Sequence, residues 1–347
     1  MSTEYRTKAI QYDGVRNILT QNANGPCALL ALINTLLLTC NATSPPEVHT
    51  LVALVNSEDT VTLDTLTQCL RDIALANAKI FQLSADDVNK TLSLLPTLHE
   101  GANINPRFDG GFEESDELVL FRVFNVGMVH GWVISPEDAE FDAVMKYKSY
   151  EAAQNVLIEA YDVDNKSTKD AVDLEILDDS SKIKHFFART ATQLTDYGLQ
   201  ALKGHLTDGQ ILVFFRNNHF NTIIKTENDI YQLVTDQGFF DKSQYVWESL
   251  LSINGANNSF FTGRFSPLLE DSSNPFDDGG DEHMDDDRRL AMMMQEEEDQ
   301  RAASAIQRQY QRRGRGDQSN DTSRNQGVTK KEKKQKKDKK GKKCIVM

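Results

Sequence analysis

Apolar residues between positions 27 and 77 recur three and four apart, which is the spacing of one face of a helix. The pattern predicts helices over Cys27–Leu38, Leu51–Val55 and Leu63–Asn77. The first of these is apolar on almost every side, so we expect it to be buried. Its apolar stretch covers only fourteen residues, from Cys27 to Cys40, and is too short to span a bilayer.

Later in the chain, short runs rich in β-branched and aromatic residues predict strands. These runs are Leu118–Val126, Gly131–Ile134, Gln210–Phe215, His219–Lys225 and Ile230–Thr235. Because helices come first and strands suited to antiparallel pairing follow, the expected fold class is α+β rather than a doubly wound sheet. The intervening stretch 137–201 has helical propensity and many acids, which predicts a helical insertion with Asp162–Asp170 as a loop.

The composition changes after Pro267, where mixed apolar and polar positions give way to a segment dominated by acids. We therefore predict a folded domain over residues 1–268, an acidic segment over 269–315 and a disordered polybasic tail over 316–343. The last four residues, 344–347, form a separate motif.

Charge is distributed very unevenly along the 347 residues. The net charge is −14, yet Lys330–Lys343 contains ten lysines against two acids, so the rest of the chain is strongly acidic. An acidic body of this kind argues against nucleic acid as a partner and indicates a domain with a separate basic tail.

The cysteines indicate a reducing, intracellular location. Cys27, Cys40, Cys69 and Cys344 form no CxxC pair, and no His/Cys cluster has zinc spacing. We expect free thiols and neither a metal nor a cofactor. The polar N-terminus lacks the apolar segment of a secretory signal.

The decapeptide that begins at Gln21 contains a candidate nucleophile. Asn24 is able to cap a helix that starts at Pro26, which places Cys27 in the first turn, where free N–H groups stabilise a thiolate. Gln21 is placed to fold back and donate its amide to a developing oxyanion. The alternative is that Cys27 is a small buried apolar residue, as many lone cysteines are.

A cysteine nucleophile needs a histidine that is distant in sequence but close in space. His219 opens a strand directly after a buried run and two asparagines, which puts its ring at the rim of a sheet. His130 lies at a predicted strand edge and suits a structural or substrate-side role. Surface roles suit the other five histidines, which are His49, His99, His185, His205 and His283.

The strand that follows His219 supplies candidates for orienting its ring. A turn near Glu227 pairs position 219 with 235 or 236, so Thr235 and Asp236 are the candidates, and Gln237 replaces them in the next register. A carboxylate is the stronger partner for an imidazolium, which favours Asp236.

Five motifs in this order resemble the MINDY family of deubiquitinases. They are QNANGPC (21–27), VHGWV (129–133), FFRNNHF (214–220), VTDQG (234–238) and VWESL (246–250). The resemblance covers roughly residues 5–265 and implies a papain-like cysteine isopeptidase that cleaves polyubiquitin, with lysine-48-linked chains preferred. It implies Cys27 as nucleophile, His219 as general base and Gln21 in the oxyanion hole. Ala28 departs from the family pattern, which often has proline there.

The acidic segment contains a candidate partner-binding helix over about 284–306. Leu290, Ala291 and Met294 share one face, with acids at both ends. The order of these residues resembles an inverted ubiquitin-interacting motif, which implies that the helix binds ubiquitin chains. The alternative is a solvated charged helix without a partner.

The chain ends in Cys344-Ile345-Val346-Met347, which fits a prenylation box whose last residue favours farnesyl. One lipid together with a polybasic stretch is sufficient for stable anchoring on an anionic membrane surface. We therefore expect a cytoplasmic protein with peripheral membrane association. The alternative function of the lysines is nuclear localisation or nucleic-acid binding.

Two other functions compete with a deubiquitinase. The first is a non-catalytic, prenylated ubiquitin-binding adaptor that uses the Leu290–Met294 helix. The second keeps the Cys/His pair but acts as an acyltransferase or general peptidase, because that pair serves all of these reactions.

Overall fold

The computed structural model describes residues 3–22, 27–227, 229–255 and 258–268. The chain divides into two units, Met1–Asp271 and Ser272–Met347, and all described residues lie in the first. The predicted acidic helix, the basic tail and the terminal motif therefore lie outside the described residues. No helix of the described part is long and apolar enough to cross a bilayer.

The chain begins with a β-hairpin that the sequence analysis did not predict. Strand β1 (Glu4–Gln11) pairs antiparallel with β2 (Val15–Leu19), and its first residues pair with β3 (Thr60–Thr62). Asp13 and Gly14 turn the hairpin with φ of 47° and 94°. Asp-Gly is a strong hairpin signal, and it stands here between two strands with polar outer faces.

Helices follow, and the three predicted ones are confirmed, the first shifted by one residue and the other two longer than predicted. The helices are α1 (Ala28–Thr39), α2 (Pro46–Ser57), α3 (Leu63–Ile80), α4 (Ala85–Leu94) and α5 (Asp116–Val123). Eleven of the twelve residues of α1 are buried, so this helix is the centre of the largest core cluster.

The strand predicted over Leu118–Val126 is wrong, because Leu118–Val123 belong to α5 and a turn follows the helix. The Ser115 hydroxyl caps the helix by accepting from Leu118 N, and two acids occupy the first turn. Residues on several sides of α5 are buried, since it packs on α4 and against the core. A short apolar run that is buried on several sides does not reveal its period.

The second sheet has six strands in chain order and carries most of the antiparallel pairing. They are β4 (Met128–Val129), β5 (Ile211–Arg216), β6 (His219–Thr226), β7 (Asp229–Leu233), β8 (Trp247–Ser249) and β9 (Phe260–Phe261). The pair β4–β5 is parallel and every other pair is antiparallel. The α+β expectation is confirmed, and so are the last three predicted strands to within a few residues.

The strand predicted over Gly131–Ile134 is also wrong, because the ladder ends at Val129. The backbone after Val129 forms its hydrogen bonds outside the sheet: Thr195 N donates to the Gly131 carbonyl oxygen at 3.1 Å. A later helix crosses here so closely that a Cβ added at Gly198 would lie 1.9 Å from that oxygen. Tertiary packing therefore takes the place of strand pairing in this segment.

The predicted helical insertion is confirmed and lies between the neighbouring strands β4 and β5. It contains α6 (Phe141–Tyr147), α7 (Tyr150–Asp164), α8 (Ala171–Arg189) and α9 (Asp196–His205). The predicted loop Asp162–Asp170 is shorter, because α7 continues to Asp164. An aromatic core with Trp132 and Phe186 at its centre holds α6, α7 and α8 together, whereas α9 packs on the sheet.

Candidate active site

Cys27 is the residue from which helix α1 begins. It is the N-cap, with φ −116° and ψ 162°, and its carbonyl oxygen accepts from Ala31 N at 3.1 Å. The prediction that Cys27 lies inside the first turn is therefore wrong by one residue. Asn24 and Pro26, predicted to cap and begin the helix, lie outside the described residues. The half-buried sulfur stands directly at the free N–H groups of a buried helix.

The surroundings of the sulfur act on its ionisation in opposite directions. Burial raises the pKa of the Cys27 thiol, while hydrogen bonds with the N–H groups of Leu30 and Leu29 and with the Tyr5 hydroxyl lower it. Burial is the larger effect, so the pKa is above its ordinary value. The neutral thiol is therefore favoured, and Cys27 would need a base to act as a nucleophile.

Tyr5 is a functional candidate that the sequence analysis missed. It is buried on β1, and its hydroxyl hydrogen-bonds the Cys27 side chain. Burial, followed by the Cys27 charge and hydrogen bond, raises the pKa of this hydroxyl. Recognising the hairpin from Asp13-Gly14 would have identified β1, although not which residue its inner face turns toward Cys27.

A tight turn fixes His219 at the end of the sheet. Asn217 and Asn218 have φ of 50° and 60°, and the residues on either side of them, Arg216 and His219, face each other across β5 and β6. Two consecutive left-handed residues define the hairpin turn that joins adjacent twisted strands, and asparagine tolerates this conformation well. His219 is therefore the first residue of a well-anchored strand, as the sequence predicts.

The helix of Cys27 packs directly on the strand of His219. The Thr222 hydroxyl donates to the Ala31 carbonyl oxygen at 3.1 Å. Cys27 lies four residues from Ala31, about 6 Å along a helix, and His219 lies three residues from Thr222, about 10 Å along a strand. This packing is consistent with a Cys27–His219 pair, and direct contact between them stays a prediction.

Gln21 is bound at both ends by the segment after β7. Its backbone N–H donates to the Thr235 carbonyl oxygen at 2.9 Å, and its Nε2 donates to Asp236 Oδ2 at 2.8 Å. On the other side, Asn34 of α1 exchanges two hydrogen bonds with the Leu19 backbone, at 2.8 and 2.9 Å. The segment from Leu19 to Gln21 therefore connects α1 with the residues that follow β7.

Thr235 and Asp236, predicted to orient His219, thus both contact Gln21. The β6–β7 ladder ends at Ile223 and Gln232, before it reaches either of them. Val234 then pairs with Val246 instead. A role for Thr235 or Asp236 toward the His219 ring stays a prediction.

His130 is buried inside the domain and is structural. Its Nε2 lies 2.7 Å from the Gly111 carbonyl oxygen, and its Nδ1 accepts from Trp132 N at 3.1 Å. A neutral ring with its proton on Nε2 satisfies both contacts. Burial lowers the pKa of His130 to about 4.

The remaining predicted site residues are not part of this cluster. Leu290, Ala291 and Met294 of the acidic helix, and Cys344, lie outside the described residues. Within the described ranges, no three His, Cys, Asp or Glu side chains gather into a group that would hold a metal ion.

Comparison with known proteins gives a consistent result across the described domain. A family model described as MINDY deubiquitinase matches residues 3–265. The chain is 41% identical to ubiquitin carboxyl-terminal hydrolase MIY1 of Saccharomyces cerevisiae over 77% of this chain and 73% of that protein. It is 33% identical to ubiquitin carboxyl-terminal hydrolase MINDY-2 of Homo sapiens (73% of this chain, 40% of that protein) and 34% identical to MINDY-1 of Mus musculus (72% and 52%).

Proposed function

The chain belongs to the MINDY family of deubiquitinases and is a ubiquitin-directed thiol hydrolase, and from this premise we propose that Cys27, His219 and Gln21 carry its chemistry. The observation that carries this proposal is the position of Cys27 at the start of the buried helix α1. This helix packs on the strand that His219 opens. A papain-like arrangement of this helix and sheet is part of the proposal.

The reaction proceeds through a thioester. His219 takes the proton of the Cys27 thiol, and the sulfur attacks the isopeptide carbonyl carbon at the C-terminal glycine of ubiquitin. The Gln21 amide and the Cys27 N–H stabilise the oxyanion, and His219 protonates the leaving lysine amine. Water then hydrolyses the thioester, with His219 accepting its proton. The raised pKa of Cys27 is the reason that the base is needed.

The proposed substrate is polyubiquitin, with lysine-48-linked chains preferred. The family resemblance of the motifs supports this choice. The helices α6–α8 of the insertion have a core of their own, so they offer surface to a chain of several ubiquitin units in addition to that of the sheet.

The decisive experiment uses ubiquitin that carries a C-terminal electrophile. We expect the wild-type protein to gain the mass of one ubiquitin, and Cys27→Ala to gain none. Cys40→Ala is the matched control, because Cys40 is also a half-buried free thiol, and it should react like the wild type. Labelling of Cys27→Ala would overturn the assignment.

Cleavage assays separate the competing functions. Lysine-48-linked chains should be hydrolysed by the wild type and by Cys40→Ala, whereas Cys27→Ala should bind chains without cutting them. A wild-type protein that binds chains but neither reacts nor cleaves would be an adaptor. Cleavage of unrelated peptides at a similar rate would indicate a general peptidase.

Beyond the catalytic domain (1–268), we propose that the acidic segment (269–315) binds ubiquitin through Leu290, Ala291 and Met294. Tethering such a helix to the domain raises the local concentration of chains. In the Cys27→Ala background, Ala291→Arg should weaken binding of tetraubiquitin. A neighbouring charge-only change, Glu298→Gln, is the matched control, and equal binding by all three proteins would refute the role.

We further propose that Cys344 is farnesylated and, with the polybasic tail (316–343), holds the protein on the cytoplasmic face of a membrane. In cells, Cys344→Ser should move the protein from the membrane fraction to the soluble fraction. Cys69→Ser, which changes a thiol of the folded domain, is the control. An unchanged membrane fraction for Cys344→Ser would refute the anchor.

A further inference from the structure

The carboxylate of Asp236 binds two donors at once, one on each oxygen. Its Oδ2 accepts from Gln21 Nε2 at 2.8 Å, and its Oδ1 accepts from Gly238 N at 2.7 Å. The second bond caps the short 3-10 helix Gln237–Phe239, so the turn itself sets the orientation of the carboxylate. The Asp236 carboxylate therefore has a fixed orientation where it binds the Gln21 amide.

The same segment also fixes the backbone of Gln21. The main-chain bond from Gln21 N to the Thr235 carbonyl oxygen lies directly beside the side-chain bond to Asp236. A glutamine side chain that is free in solution loses conformational entropy when it is ordered. Here the order exists before substrate arrives, so the reaction does not have to supply it.

We propose that Asp236 is a positioning residue that presents the Gln21 amide to the oxyanion. The inference rests on the oxyanion role proposed for Gln21 above. A carboxylate only accepts hydrogen bonds, so it binds the NH2 end of the amide and turns the carbonyl oxygen away. The second hydrogen on Nε2 is left for the oxyanion, whereas a flipped amide would direct an oxygen at it and repel it.

Both carboxylate oxygens are needed for this arrangement. One oxygen receives the Gly238 N–H and the other receives the Gln21 amide. Asparagine offers a single acceptor oxygen, so one of the two donors would face an NH2 group. Asp236→Asn should therefore lose part of the rate even though its size and shape are preserved.

Asp236 could act on the rate by a second route, through His219, and the two routes predict different results. Gln21 acts on the tetrahedral intermediate, whereas His219 also generates the thiolate. A Michael-type electrophile at the C-terminus of ubiquitin consumes the thiolate but forms no tetrahedral carbonyl intermediate. Its reaction rate therefore reports on Cys27 and His219 and not on Gln21.

The test measures kcat and KM for cleavage of isopeptide-linked polyubiquitin by the full chain. The proteins are the wild type, Gln21→Ala, Asp236→Ala and the double variant. We expect Asp236→Ala to lower kcat about tenfold or more with KM changed by less than about twofold, as for loss of a transition-state contact. The double variant should be no slower than Gln21→Ala, because Asp236 acts through that side chain.

Two further readouts and a control complete the design. In Asp236→Ala, labelling by the Michael-type probe and the acid limb of the pH–rate profile should match the wild type, which also shows that the variant is folded. Asp241→Ala, which removes an exposed carboxylate just after the same turn, should keep the wild-type kcat. Should Asp236→Ala fail to fold, Asp236→Asn takes its place, with a smaller loss of kcat expected.

Other results would overturn the inference. If the kcat losses of the two single variants multiply in the double variant, if probe labelling is slower or if the acid limb shifts, Asp236 acts through His219 instead. A wild-type kcat for Asp236→Ala or Asp236→Asn would remove its role altogether. Failure of the wild type itself to be labelled at Cys27 would instead overturn the proposed function, so the two failures are distinguishable.

Discussion

The hydroxyl groups of Thr35 and Thr222 lie 3.3 Å apart in the buried interface between α1 and β6. Thr222 also donates to the Ala31 carbonyl oxygen. These bonds join the helix that begins after Cys27 to the strand that begins at His219. They oppose sliding of one element along the other, because a shift would leave buried polar groups without partners.

Removing one member of this pair should be costly. Thr222→Val keeps the shape of the side chain but leaves the Thr35 hydroxyl buried without its partner, so the free energy of unfolding should fall by about 1–3 kcal/mol. Denaturant unfolding measures this change. The double variant Thr35→Val/Thr222→Val should cost less than the sum of the single changes, and strict additivity would contradict the coupling.

The hydrogen bond from Tyr5 should be visible in the reactivity of the resting thiol. Tyr5→Phe removes a bond that lowers the pKa of Cys27, so the apparent pKa for alkylation by iodoacetamide should rise. The alkylation rate near neutral pH should fall roughly two- to tenfold, as expected for a net contribution of about 0.5–1.5 kcal/mol. Tyr12→Phe is the control, since that ring packs on Trp247 and Phe265. An unchanged alkylation profile for Tyr5→Phe would contradict the contact.

Buried His130 should make the domain sensitive to acid. Its pKa is lowered to about 4, so the unfolded chain, with a histidine pKa of about 6.5, binds a proton first as the pH falls. The stability that the neutral ring contributes is fully present above about pH 6.5 and is lost as the pH falls toward 4. Between pH 7 and 4.5, the wild type should lose about 2 kcal/mol more than His130→Gln. Equal losses, measured by denaturant unfolding at both pH values, would contradict a neutral buried ring.

Two glycines of α9 should respond to alanine in opposite directions. A Cβ at Gly198 would lie 1.9 Å from the Gly131 carbonyl oxygen, whereas nothing lies within 4 Å of one at Gly204. Gly198→Ala should lower the free energy of unfolding by about 1–3 kcal/mol or more, since backbone must move. Gly204→Ala should raise it by about 0.5 kcal/mol through helix propensity. Thermal or denaturant unfolding of both proteins tests this, and a tolerated Gly198→Ala would refute the close approach.

The sequence predicted the elements whose pattern is set locally. The buried helix at Cys27 has too many apolar residues to lie anywhere but in a core. The Asn217-Asn218 pair fixed the start of the strand at His219, because few residue pairs adopt two left-handed conformations in succession. These local signals made Cys27 and His219 the candidates for nucleophile and base.

Long-range packing decided what the sequence did not predict. The run at 118–126 has the composition of a strand, yet Leu118–Val123 are helical because α4 and the core surround them. The contacts of Asp236 with Gln21 and of Tyr5 with Cys27 join segments that are far apart in the chain. No periodicity within one segment encodes such a partner, although the Asp13-Gly14 turn marked the hairpin that carries Tyr5.

The strands β5 and β6, which pack on α1, are synthesised long after it. Thr222, which binds this helix, is made 191 residues after Ala31. At about 5–20 residues per second, the ribosome needs roughly 10 to 40 s to produce β5 and β6 after α1 has been made. For that time α1 packs on β2 and α2 but lacks β5 and β6, which cover the rest of its apolar surface. We therefore expect fragments that end before position 211, which lack both strands, to expose part of this helix and to aggregate.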